Sequence, residues 1–286
     1  MKRMWILIPL LLLAGCIQSN PEPEAAKTAV PTAVPTLAPV AIRIAVDETE
    51  PPMTAIPTPT ASPTPEPTAT PSPEPTATPN PYRAETVTAH KESEDFWYCE
   101  LTEATKERII GSTFPENPKD CPVKITDLRY VSLLYVDFEG ETHTGELIVN
   151  RKVADDVIDI FYALYRAAYP LTSVKLLDDF GEKFDDNLSM AANNTSSFCC
   201  RPVTGSKKFS LHASGLAIDV NPMMNPYIRP DKSFAPPNGE AYLDRSQHLL
   251  GMIDENDLCY KLFTEHGWSW GGHFKGEKDY QHFSKK

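Results

Sequence analysis

Between Ile17 and Pro81 the chain has no aromatic residue. Such a segment cannot bury enough apolar surface to offset the entropy of ordering it. No two cysteines form a C-x-x-C pair, which removes the usual signature of a zinc ribbon. Basic residues are outnumbered, 27 Lys and Arg against 39 Asp and Glu, and the formal charge is −12. The electrostatic footprint of a nucleic-acid binder is therefore missing. The apolar run within residues 1–16 is too short to sit comfortably as a permanent membrane span. Strand and helix patterns do not alternate regularly, which argues against a parallel βαβ sheet.

What is present begins with a leader. "MKRMWILIPLLLLAGC" has a basic start at Lys2 and Arg3, an apolar run and a small-residue end, the layout of an export signal. Its ending "LAGC" resembles the lipobox of bacterial lipoproteins. The resemblance implies cleavage before Cys16 and lipid on that cysteine, giving an extracytoplasmic protein held to the membrane by its acyl chains. Residues 17–82 form the next unit. The aromatic-free stretch contains 17 of the 28 prolines, and "PEPTATP" occurs twice, at 65–71 and 73–79. This composition predicts a stiff, extended spacer, reaching on the order of 200 Å at ~3.1 Å per residue. With Cys16 lipidated, Cys99, Cys121, Cys199, Cys200 and Cys259 remain, an odd number that leaves at least one thiol unpaired within the chain.

Residues 83–286 read as one domain. "LRYVSLLYVDFEGETHTGELIVN" predicts a β-hairpin turning at Glu139-Gly140, with Val131, Leu133 and Tyr135 on one face and Leu134, Val136 and Phe138 on the other. "VADDVIDIFYALYRAAYP" predicts a helix with an apolar stripe of Val153, Val157, Ile160, Phe161, Leu164 and Ala168. Asp155 and Asp156 fall in its first turn, where the helix dipole favours negative charge. A second helix is predicted over about 255–266, with Leu258, Leu262 and Phe263 inward and Gly267 ending it. The fold class is α+β with a mainly antiparallel sheet and flanking helices.

The chemistry concentrates in "SLHASGLAIDVNP". Asp219 lies inside the apolar run Leu216 to Val220, a costly place for a carboxylate unless something neutralises it. As a strand, this segment puts Ala217, Asp219 and Asn221 on a small or polar face, as a cavity wall would be, and Leu216, Ile218 and Val220 on a core face. Gly215 allows the turn that brings His212 back towards Asp219. A catalytic zinc takes three protein ligands and an open position. The third candidate is His282 in "DYQHF", ahead of His266 and His273. Asp279, three residues earlier, is placed to act as a base rather than a ligand. His90, His143 and His248 carry no signal. Cys199-Cys200 reads as packing or a disulfide, and Trp268 and Trp270 as pocket wall or core.

"SxHxxGxAxD" followed by "WGG…DYQHF" resembles the M15 family of zinc D,D-peptidases, which act on bacterial cell-wall peptides. "DLRYVSLLYVDFEGETHTGELIVN" and "MAANNTSSFCCRPVTG" look like its carboxypeptidase-like branch, so the likeness runs from about Cys121 to Phe283. It implies a Hedgehog/D,D-peptidase-like zinc peptidase fold. It further implies Zn2+ on His212, Asp219 and His282, Asp279 as general base, and Arg201 binding substrate or steadying the oxyanion. Phe274 stands in "WGGHF" where the family more often has tryptophan. The implied activity is D-alanyl-D-alanine carboxypeptidase on peptidoglycan stem peptides. An L-Ala–D-Glu endopeptidase and a non-catalytic, wall-binding zinc protein are the alternatives.

Overall fold

The structure, a computed structural model, describes residues 80–203 and 206–286. The leader, Cys16 and the spacer up to residue 79 lie outside the described residues. No helix among the described residues is long and apolar enough to cross a membrane. Tyr82, at the end of the predicted spacer, already packs on the domain: its ring centroid lies 5.6 Å from that of Tyr130.

Strands β1 (Thr88–His90) and β2 (Ser93–Glu100), helix α1 (Glu103–Ile109) and strands β3 (Leu128–Val136) and β4 (Thr142–Asn150) open the domain. The strands form one antiparallel sheet in the order β1-β2-β3-β4. The hairpin has the predicted place, with Leu128 opposite Asn150 and Val136 opposite Thr142. Asp137 closes its turn, accepting from the backbone N–H groups of Glu139 and Glu141 at 3.0 and 2.9 Å. Both faces are covered, which explains why both alternating sets are rich in apolar residues. Val131, Leu133, Tyr135, Leu147 and Val149 join one buried cluster with helix α2 (Ala154–Arg166). Leu128, Tyr130 and Ile148 join another with Trp97, Ile109 and Phe114.

Helix α2 buries Val157, Ile160, Phe161 and Leu164 as its spacing demands. Ala168 departs from the predicted stripe. It lies past the helix end at φ 50° and is exposed, and the turn it makes sends Tyr169 and Leu171 inward instead. The second predicted helix, α4 below, is shorter than expected, Leu258–Glu265. Asp257 caps it, accepting from the Cys259 N–H at 2.8 Å. Its fully buried pair is Cys259 and Phe263, one turn apart, whereas Leu258, expected inward, is exposed.

The remaining elements are fragments: β5 (Ser173–Val174), α3 (Asp186–Ala191), β6 (Asn194–Thr195), β7 (Ala217–Asp219), β8 (Tyr227–Ile228), β9 (Phe234–Ala235), α4, β10 (Ser269–Trp270), β11 (Lys278–Asp279) and β12 (His282–Ser284). They pair as β10-β12-β7 and β11-β8-β9, both antiparallel, with β5-β6 a parallel pair. Strands this short supply few ladder bonds, so buried asparagines do the joining. Asn225 donates to the Val220, Asn221 and Gly251 carbonyls and accepts from the Ile253 N–H at 2.7 Å. Asn194 bridges Lys175 on both its N–H and its carbonyl. Asn221 accepts from Thr172 N–H and donates to the Pro170 carbonyl. Asn221 and Ala217 are fully buried, so the face predicted to be a cavity wall opens to a cavity only at Asp219; Asn221 is tied up in joining loops.

Cys121 and Cys200 form a disulfide with Cα atoms 5.9 Å apart, tying the segment before β3 to the residue preceding Arg201. Cys99, Cys199 and Cys259 are buried free thiols. The pair Cys199-Cys200 thus supplies one packed thiol and one disulfide partner.

Candidate metal centre and cleft

His212 stands in a short 3₁₀ turn, Leu211–Ser214, which Ser210 caps by accepting from the His212 N–H at 3.3 Å. Gly215 follows at φ 65°, and a Cβ there would lie 2.6 Å from the backbone nitrogen of Asn150. Only glycine permits both the turn and this approach. The Gly215 carbonyl accepts from that same Asn150 N–H at 2.8 Å, so the turn is docked on the end of β4. The chain then enters β7, where Asp219 pairs in register with His282 of β12. Cross-strand partners share a face, so a carboxylate and an imidazole meet.

The sequence-distant His212, Asp219 and His282 converge, one possible ligand atom from each lying within 4.8 Å of the others. His212 Nε2 is 3.1 Å from His282 Nδ1 and 3.2 Å from Asp219 Oδ2, and His282 Nδ1 is 3.0 Å from Asp219 Oδ1. On its far side His212 Nδ1–H donates to the Ser197 carbonyl at 2.6 Å, which leaves the Nε2 lone pair facing the cluster. Burial by itself would raise the pKa of Asp219, but the His212 and His282 imidazoles outweigh it and hold the carboxyl well below the usual range. Two imidazole nitrogens and a carboxylate at one point form a donor set that fits a divalent metal with an open position. A single proton could not satisfy all three.

Asp279 lies beside this cluster on β11, opposite Tyr227 of β8. Its Oδ1 is shielded from solvent and has no hydrogen-bond partner among the described residues. Burial pushes its carboxyl up to about 7, against the opposing pull of His282. The first glycine of "WGG" accounts for its approach: a Cβ on Gly271 would lie 2.4 Å from the Asp279 carbonyl oxygen. Tryptophans 268 and 270 belong to the core rather than the pocket, and Trp270 donates its indole N–H to the Tyr280 carbonyl at 2.8 Å. Phe274, half-exposed, does line the cleft, its ring 6.1 Å from that of His282.

His266 and His273 are not brought to the cluster. His266 caps α4, its Nδ1–H donating to the Leu262 carbonyl, and His273 lies 3.2 Å from Glu255. Arg201 does reach the cleft, but its Nη2 is paired with the Asp186 carboxylate while its Nε is buried and has no hydrogen-bond partner among the described residues. The cleft measures about 870 Å³. Sequence reasoning missed much of its wall: Asp186, Tyr227, Arg229, Glu277 and the buried Gln281. Tyr227 and Asp279 face one another through the pairing of two dipeptide strands, which leaves no periodic trace in the sequence.

Residues 204–285 match the family model described as D-alanyl-D-alanine carboxypeptidase. The match supports the M15 peptidase family and a hydrolase. It encloses His212, Asp219, Asp279 and His282, and is narrower than the Cys121–Phe283 span of the sequence likeness. No curated protein and no solved structure matches the chain.

Proposed function

We propose that this chain is a zinc metallopeptidase acting on peptidoglycan stem peptides, removing a terminal D-alanine, and that it is exported and lipid-anchored through Cys16. One observation carries the catalytic part. A three-ligand donor set and a buried carboxyl with a free oxygen meet at one cleft, inside the segment that matches the peptidase family.

His212, Asp219 and His282 hold the metal, and the Ser197 carbonyl keeps His212 in the ligating tautomer. Bound zinc supplies Lewis acidity to the scissile carbonyl and to the attacking water. Asp279 takes the water's proton and returns it to the amine that leaves as the C–N bond breaks. Its buried Oδ1, which has no hydrogen-bond partner among the described residues, is available for both transfers. The Nε–H of Arg201 offers a hydrogen bond to the developing oxyanion. The test is mass spectrometry of muropeptides incubated with zinc-loaded protein. Loss of one alanine is expected and chelation abolishes it. Cleavage behind the first alanine would identify the endopeptidase, and unchanged masses a binding protein.

A further inference from the structure

Two arginines line the cleft, and they differ in what already occupies them. The Arg201 guanidinium is committed to Asp186. Arg229 makes no ion pair among the described residues, and its side chain has one hydrogen bond, to Ser233 Oγ at 3.5 Å. Its Cζ lies over the Tyr227 ring, 5.1 Å from the centroid, which holds the half-buried guanidinium in place without using its donors. Glu277 also lines this wall, and its carboxylate accepts from the Tyr227 hydroxyl at 2.6 Å.

The Tyr227 ring places Arg229 relative to the chemistry. Tyr227 is opposite Asp279. Arg229 follows the end of β8, and its guanidinium folds back over the Tyr227 ring onto the same wall. Tyr227, Arg229 and Asp279 accordingly line one cleft. Asp279 returns its proton to the leaving amine, so the leaving group lies on this side. If the departing residue is the last of its peptide, its carboxylate is one carbon from that amine. A guanidinium with free, planar donors is the side chain best matched to a carboxylate.

We propose that Arg229 binds the free C-terminal carboxylate of the departing residue, and that it makes the cleft select chain ends over internal bonds. This rests on the peptidase reading for its role in turnover, but its binding chemistry can be tested apart from it. Lys286 also lines the cleft, but its ammonium is a point charge on a flexible stem and lacks the paired donors.

The test uses zinc-loaded, full-length protein carrying Asp279→Asn, so that ligand is not consumed. The probes are acetyl-Lys-D-Ala-D-Ala and its C-terminal amide, with binding read by calorimetry. The acid should bind about 10- to 100-fold more tightly than the amide, the usual worth of a charge-assisted pair. Arg229→Gln should erase that preference by weakening the acid alone, Arg229→Lys should restore part of it, and Lys286→Gln should leave it intact. With Asp279 restored, Arg229→Gln should raise KM for the acid while kcat changes little. No preference for the acid, or a preference that survives Arg229→Gln or vanishes in Lys286→Gln, overturns the assignment. If the acid preference follows Arg229 but no peptide is cut, the peptidase reading fails and the carboxylate site stands.

Discussion

The two halves of the domain are stabilised differently. Residues 88–166 consist largely of regular elements: a nine-residue hairpin strand on either side of a short turn, and a thirteen-residue helix across one face. Among the described residues from 194 onwards no strand exceeds three residues. The first half is held by apolar burial in register, each large side chain contributing ~1.5–3 kcal/mol. The second half shares that core through Ile218, Val220, Ile253, Phe263 and Phe283, and its short strands are joined in addition by side chains that bond to backbone, chiefly Asn193, Asn194, Asn221 and Asn225. A regular sheet presents a smooth face. Short strands joined by asparagines can turn often enough to bring candidate ligands from residues 212, 219 and 282 to one point, with a cleft beside them. The first half is a support, and the second trades regularity for convergence.

Breaking the second half at its chemistry should give the largest effect. Asp279→Asn leaves the three candidate ligands in place, so on the proposed reading zinc content by atomic absorption should stay near one per chain. Turnover should nonetheless fall by about 10²–10⁴, mainly in kcat. Wild-type turnover with full zinc would remove Asp279 from the mechanism.

Leu147→Ala tests the supporting half. Leu147 is fully buried in the cluster that includes the apolar side of α2, so denaturant unfolding should show a loss of about 2–5 kcal/mol. The kcat of the protein that remains folded should be unchanged. A drop in kcat would show that the hairpin shapes the site rather than only carrying it.

Asn225→Ala is the counterpart in the site half. It strands the Ile253 N–H and removes the side-chain donor to the Val220 and Gly251 carbonyls, while the Asn221 carbonyl keeps the backbone N–H of residue 225; the cost should be on the order of 2–3 kcal/mol. Here stability and zinc affinity should fall together, because Asn225 anchors Val220 next to the candidate ligand Asp219. Unaltered zinc affinity would mean that the asparagines hold loops and not ligands. At the small end, Lys106→Ala on α1 removes an exposed pair with Glu103. It should change stability by less than about 0.5 kcal/mol and turnover not at all.

Much of the first half was legible in the chain. The hairpin and α2 follow from apolar spacing, because a long regular element must repeat its buried positions at its own period. Legibility failed at element ends, where the period stops. Ala168 continues the helical stripe on paper, but the left-handed turn takes it out of the helix. Leu258 is similarly lost because Asp257 caps α4 so that Cys259 and Phe263 face the core.

The candidate ligands were legible for another reason. His212 and Asp219 are local partners across one obligatory glycine, and a carboxylate in an apolar strand is conspicuous wherever it lies. By itself, then, the sequence determined the α+β class, the long hairpin and helix, and the residue types able to hold a metal, since each is written in a short window by period or by spacing. Tertiary structure alone decided the rest. It set Asn221 to joining loops, Trp268 and Trp270 to the core and Cys200 to Cys121. It also paired Arg201 with Asp186 and left Arg229 on the cleft wall without an ion pair among the described residues. These outcomes depend on which two-residue strands find each other across long loops, and that is settled by packing and buried hydrogen bonds, which have no period to read.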